Sequence, residues 1–227
     1  MQCPRHQDLF QKSLLNNGSC RILIQMIEMK PHGSSNSKSF KDMTLEELWI
    51  LFPIVLTPHQ PQWADRAQEE IEALSEILTG YAPVISHIGS TAIPCIQAKP
   101  IIDILVEIAP ETDWQRIRSE MIEAGYICMS SSERRMSFNK GYTPEGYAER
   151  VFHIHVHAVG DNDEILFRDY LRDHPAVARE YEALKLSLLP RYKNDRDGYT
   201  EAKSDFVRAV VDDARKQQCY SSRSPRH

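Results

Sequence analysis

The sequence has no apolar run approaching the eighteen or more residues that a membrane-spanning helix needs. Its longest early candidate, "ILIQMIEM", is interrupted by Gln25 and Glu28 and has no small-residue cleavage site after it, which argues against a secretory signal. Cysteine is scarce and odd in number: Cys3, Cys20, Cys95, Cys128 and Cys219 never fall into a CxxC spacing. That excludes a zinc knuckle and a disulfide frame as the basis of the fold, and fits free thiols in a reducing compartment, so a cytoplasmic location is expected. There is no basic excess either. The net charge of −5 argues against a surface that coats extended nucleic acid, while leaving room for a local cationic pocket. No internal repeat is present.

What is there is an ordinary globular composition over 227 residues, enough for one large domain or two small ones, either with a sizeable core. Residues 1–42 are turn-rich, contain "PHGSSNSKSF" and lack periodicity, and so read as a poorly ordered extension. The tail from 218 to 227 reads as flexible, leaving a domain over 43–217. Its opening, "MTLEELWILFP", carries a capping box in Thr44 and Glu47 and a stop at Pro53. The spacing then predicts a strand at "IVLT", an amphipathic helix over "QWADRAQEEIEALSEILTG", and strands at "PVISHI" and "PIIDILVEI". A helix from "ETDWQRIRSEMIEAGY" follows, with shorter strands near 126–130 and 135–140. The Gly/Pro stretch "KGYTPEGYAER", 140–150, reads as a loop, within a segment "RRMSFNKGYTPEGYAER" that is a long hairpin or, alternatively, a mobile lid, and "VFHIHVHAV" is the last strand. Asp161 and Glu164 suggest a capping box before "NDEILFRDYLRDH"; "PAVAREYEALKLSLL" and "YTEAKSDFVRAVVDDARK" complete a helical run. The expected fold class is α+β: a mixed β-sheet core with helices and a C-terminal helical segment.

The chemistry concentrates in "SHIGSTAIPCIQAKPIIDILVEI", residues 86–108. Asp103 stands inside an apolar strand, where a carboxylate is costly to desolvate without a partner or ligand. Gly89 and Ser90, with Thr91, end the preceding strand and can cradle a phosphate through backbone N–H groups and hydroxyls; otherwise they form a plain turn. Lys99 precedes the Asp103 strand and can neutralise phosphate charge, or is simply solvated. In "HIHVH" the period of two puts His153, His155 and His157 on one side of a strand. His155 together with Asp103 could hold a metal, or His155 could transfer protons near neutral pH; hydrogen bonding to neighbours is the alternative.

"HIGSTAIPCIQAKPIIDILV" resembles the GrpB family, which shares the nucleotidyltransferase fold of the DNA polymerase beta superfamily. "HIHV", "LFRDYLRDHPAVAREYEALK" and "YTEAKSDFV" resemble that family's later motifs, in order, over about 43–215. The resemblance implies binding of a nucleotide or another anionic small molecule, with a divalent metal, Mg or Mn, held by Asp103, His155 and His153. It also implies that Asp103 and His155 are catalytic. Gly89, Ser90, Thr91, Lys99, Arg168, Tyr170, Lys185, Tyr199 and Lys203 become candidate phosphate or substrate contacts. The activity implied is nucleotidyl transfer to a small molecule or RNA. The alternative is a non-catalytic binding domain with a degenerate metal site, linked through fused relatives to coenzyme A metabolism.

Two departures bear on this. The second carboxylate of the transferase signature is Leu105 here, and Glu107 lies about 13 Å further along the strand at ~3.3 Å per residue. The glycine that the family usually places after the loop proline is Cys95, which would stiffen or reshape the loop.

Overall fold

A computed structural model describes residues 43–223; the extension assigned to 1–42 lies outside them. Helix α1 (Leu45–Leu51) starts on the capping box read from the sequence, with Thr44 and Glu47 bonding each other's backbone N–H. Helix α2 is Gln62–Ile77. Strand β1 (Val84–Ile88) leads through a single 3-10 turn, Ser90–Ala92, toward β2 (Ile102–Ile108). Helix α3 (Trp114–Glu123), strands β3 (Ile127–Ser131), β4 (Arg135–Thr143) and β5 (Gly146–Ala158) follow. The chain then becomes helical: α4 (Asp163–Asp173), α5 (Pro175–Tyr192), α6 (Arg196–Glu201) and α7 (Ser204–Arg223).

The five strands form one mixed sheet in the order β1-β2-β5-β4-β3. β2 and β5 run parallel; the other neighbours are antiparallel. The period-two pattern sorts the central strands onto two faces. Ile102, Ile104, Val106 and Ile108 of β2, with Phe152, Ile154 and Val156 of β5, pack with Trp63 and Leu74 of α2, Leu78 at its C-terminal cap, and Ile117 and Met121 of α3. That face is the main core. The opposite face carries Asp103, Leu105 and Glu107 beside His153, His155 and His157. A second apolar group joins Phe167 and Leu171 of α4, Tyr181 of α5 and Val210 and Val211 of α7 to Ile93 and Ile96 of the loop after β1. The helical cap is thus anchored on the loop that bounds the polar face. The fold class expected from the sequence is the one observed. Among the described residues no helix is long and apolar enough to cross a membrane.

Four local expectations need correction. "IVLT" is not a strand. Only Thr57 bridges, to Ala98, and Ile54 N–H bonds the Lys193 carbonyl, because Pro53 and Pro58 flank a segment too short for a ladder. The loop expected at 140–150 is largely strand, since β4 and β5 form one long hairpin through Thr143 and Gly146. Asp161 does not cap α4: Arg135 holds its carboxylate, and Asn162 is the cap residue without a side-chain bond. The last predicted helix is two, broken at Ala202–Lys203, and the second continues to Arg223, beyond the expected boundary at 217.

Cys95 occupies the left-handed region, with φ of 66°. Pro94 precedes it in a turn, the arrangement in which glycine is favoured after proline. A side chain there costs about 1–2 kcal/mol, against about 0.5–1 kcal/mol for glycine's greater freedom when unfolded. Cys95→Gly should therefore raise stability by about 0.5–1 kcal/mol, and thermal melting should show a midpoint about 1–4 °C higher. An unchanged or lower midpoint would contradict the strain.

Candidate functional site

The parallel pairing of β2 and β5 builds the site. Its register sets Asp103 beside His153, Leu105 beside His155 and Glu107 beside His157. Asp103 Oδ1 lies 3.2 Å from His153 Nδ1 and 3.7 Å from His155 Nε2. The other His153 nitrogen, Nε2, is 2.8 Å from the Tyr142 hydroxyl, and an Arg196 guanidinium N–H donates to that hydroxyl at 3.0 Å. These partners assign the tautomer: neutral His153 donates from Nδ1 to the carboxylate and accepts at Nε2 from Tyr142. A continuous chain, Arg196 to Tyr142 to His153 to Asp103, therefore links the helical cap to the sheet.

Charges follow from this geometry. Burial alone would raise the Asp103 pKa, but the hydrogen bonds and positive field of His153 and His155 hold it well below the usual carboxylate range. Burial lowers His153 to about 4 despite Asp103, with Arg196 and Lys99 adding to the shift. His155 moves the other way. Burial opposes its charge, yet Asp103 and Glu164 outweigh that and raise its pKa. One imidazole is held neutral and the next is held toward its protonated form.

The Gly89 corner closes directly on Asp103. Gly89 has φ of 70°, and a Cβ at that position would lie 2.3 Å from Asp103 Oδ2. Gly89, Asp103, His153 and His155 therefore lie against one another, with Ser90 next along the corner. Thr91 is turned inward: its hydroxyl pairs with His87 Nε2 at 2.9 Å, and burial lowers the His87 pKa to about 4. Arg168 donates to the His87 carbonyl at 2.8 Å and also pairs with Asp169, while Arg172 donates to the Ala92 carbonyl at 2.8 Å. The structure uses these two arginines as braces behind the corner. Tyr170 stacks on His174.

The cations of the cap divide into two roles. Lys185 is buried, donates to the Gln97 carbonyl and lies over the Tyr181 ring; Glu182, one turn earlier, accepts from Gln97 N–H at 2.6 Å. Together they clamp the segment leading to Lys99. Lys203 Nζ sits 4.4 Å from the centroid of the buried Tyr199 ring, and Lys99 Nζ is 6.0 Å from the same ring. Tyr199 itself donates to the Lys185 carbonyl, 3.3 Å away. Burial, then Arg196 and Lys203, lower the Lys99 pKa to about 7, with Asp103 pulling the other way. Among the described residues, no carboxylate lies within ion-pairing distance of Lys99, Lys203 or Arg196.

Sequence reading missed Arg196, Tyr142, His87 and Glu182. A signal existed for Arg196, which precedes Tyr199 by three positions and Lys203 by seven, near one helical face. Nothing comparable marks Tyr142, whose place depends on the hairpin. The divalent ion expected on Asp103, His153 and His155 finds no support in the donor set. Leu105 is fully buried at the second carboxylate position, and Glu107 turns away to accept from Gly160 N–H and the Asn162 amide, each at 3.1 Å. Among the described residues no three His, Cys, Asp or Glu side chains are gathered so as to hold a metal ion.

The family model described as "GrpB protein" matches residues 53–213. A UPF0157 protein of Pseudomonas aeruginosa is 38% identical over 161 residues, which are 70% of this chain and 66% of that protein. The crystal structure of the conserved protein GrpB from Enterococcus faecalis superposes with a TM-score of 0.61 at 32% identity, covering 72% of this chain and 99% of that one. A dephospho-CoA kinase of Mycolicibacterium paratuberculosis is 25% identical over 181 residues, 69% of this chain but 44% of that protein. This chain thus spans just under two thirds of the Pseudomonas relative and less than half of the kinase. On a match that takes in the corner, the Asp103 strand, the histidine strand and the helical cap alike, the chain belongs to the GrpB family.

Proposed function

We propose that the protein binds a nucleotide or a phosphorylated metabolite in the hollow between the Gly89–Ser90 corner, Asp103 and the helical cap. One observation carries this reading: Lys99, Lys203 and Arg196 converge there, and among the described residues no carboxylate lies within ion-pairing distance of them, Asp103 and Asp197 acting on Lys99 and Arg196 only from further off. Partly buried cations that repel one another cost stability unless an anion meets them. Phosphate oxygens, with several lone pairs and high charge, suit a guanidinium and two ammonium groups. His155, held toward its protonated form by Asp103, can donate a proton or a charged hydrogen bond to the same anion.

The polymerase-beta-type resemblance supports a nucleotide as the anion, and the dephospho-CoA kinase likeness supports a ligand of the coenzyme A type. Nucleotidyl transfer by two metals is the weaker reading, because that mechanism needs two or three carboxylates at the ions and this face offers Asp103 with Leu105 behind it.

Titration calorimetry of the full chain with ATP tests the proposal. Binding should be saturable and lost in Asp103→Ala, which releases both imidazoles. It should also be coupled to protons. At pH 8 Lys99 is largely neutral and is surrounded by Arg196, Lys203 and Lys185, with Asp103 opposing them. An anion raises its pKa, so the complex takes up a proton. Affinity is full below pH 7 and falls by up to about tenfold per pH unit above it. Heats that do not depend on the buffer's ionisation enthalpy at pH 8 would remove Lys99 from the site.

A further inference from the structure

The divalent ions implied by the polymerase-beta-type resemblance meet three obstacles on this face of the sheet. The first is the donor count: Asp103 is the carboxylate present, with a buried leucine at the next position on its face and Glu107 committed to the loop after β5. The second is that one Asp103 oxygen already has partners and the other is hemmed in. Oδ1 faces His153 and His155, and Oδ2 is packed against the Gly89 backbone closely enough to leave no room for a Cβ. The third is the field. Arg196 reaches within one tyrosine of His153, Lys99 also acts on that imidazole, and Lys203 and Lys99 both lie near the Tyr199 ring. A doubly charged cation entering there would be repelled by three cations and attracted by one carboxylate whose charge the imidazoles already share.

We propose that this site takes its anion without a divalent metal, with Arg196, Lys99 and Lys203 neutralising the phosphate charge that the metal pair neutralises in a two-metal transferase. The inference rests on the anion-binding reading above and deepens it. It assigns Arg196 as an anion contact and makes the metal-free polyphosphate the preferred ligand. Arg196 is preorganised for this: its guanidinium lies over the Tyr142 and Tyr147 rings, 5.6 and 5.9 Å from their centroids, and spends one N–H on Tyr142. Among the described residues no further hydrogen bond engages the planar fork, whose other donors suit a bidentate partner.

The test compares ATP binding to the full chain in excess EDTA and in excess Mg²⁺. The proposal expects ATP to bind in EDTA at least as tightly as the magnesium complex, because the free nucleotide carries more charge to the three cations. Arg196→Gln and Lys203→Met should each weaken binding in EDTA by about tenfold or more, the size of a lost charge-assisted bond, in proteins whose melting is near that of the parent. Binding seen only with Mg²⁺ or Mn²⁺ would overturn the inference and leave the anion reading standing. Binding in neither condition would overturn both. A second measurement needs no cap variant: Mn²⁺ alone, followed by the electron paramagnetic resonance signal of the free ion, should show no saturable site on the protein. A saturable Mn²⁺ site that disappears in Asp103→Asn would equally overturn the inference.

Discussion

Gly89→Ala should be among the most damaging single-methyl changes in the molecule, lowering stability by about 2–5 kcal/mol and removing anion binding in whatever fraction folds. Two costs add. The backbone at φ 70° disfavours any side chain by about 1–2 kcal/mol. The new Cβ would also stand 2.3 Å from Asp103 Oδ2 and 2.9 Å from Asp103 Cβ, so the carboxylate or the corner must move, an overpacking cost typically of about 1–3 kcal/mol. Moving Asp103 breaks its bond with His153 and its pairing with His155, which is why binding should fail along with stability. Gly160→Ala separates the two costs. Gly160 has φ of 87° but open space around it, so that variant should lose only the backbone share, about 1–2 kcal/mol, and bind normally. Urea denaturation of both variants with ATP calorimetry decides the matter. Equal losses in the two would show that contact with Asp103 contributes nothing.

Acid should destabilise this protein from about pH 6.5 downward, before its carboxylates titrate. His87 and His153 both have pKa values lowered to about 4, chiefly by burial, while an unfolded histidine titrates near 6.5. As pH falls below 6.5 the unfolded chain takes up protons that the folded chain refuses until about pH 4. The unfolded state therefore gains, and stability drops across that window. At about 1.4 kcal/mol per unit, each histidine can remove up to about 3 kcal/mol. His157 is shifted in the same direction. His155 works in the opposite sense: its raised pKa contributes stability that is present below about 6.5 and is lost as pH rises through the raised value. Two large downward shifts outweigh it, so a net loss on the order of 3–5 kcal/mol is expected between pH 7 and 4, a large share of a typical domain's stability. Urea midpoints at pH 7.5 and 4.5 measure the loss. His87→Gln, which keeps a hydrogen-bonding partner for Thr91, should remove roughly half of it. If the variant retains the full pH dependence, the titration lies elsewhere.

Much of the site could be read in advance because strand geometry leaves few choices. A period of two puts His153, His155 and His157 on one side, and an aspartate inside an apolar strand demands a partner. Glycine before serine at a strand end also pointed to the corner that does close on Asp103. The divalent ion was expected through the resemblance, and the donors that would hold it turned out to be bonded to one another. Arg168, an expected phosphate contact, is spent on the His87 carbonyl, and Lys185 on that of Gln97. Both outcomes depend on which backbone carbonyl a long side chain meets, and one-dimensional spacing does not encode that. The hairpin shows the same limit. Glycines and Pro144 suggested a loop, yet cross-strand packing of Tyr142 and Tyr147 against Phe52 carries the strands to its tip.

By itself the sequence determined most of the elements, the two faces of each central strand and the family, since hydrophobic period, the Thr44–Glu47 capping pair and motif order are local properties. Only the tertiary structure decided that β2 and β5 run parallel with Asp103 level with His153, and that Arg196 reaches them through Tyr142. Register and long-range hydrogen bonds depend on residues some fifty positions apart along the chain, and such pairings are settled by packing rather than by any pattern a local stretch can carry.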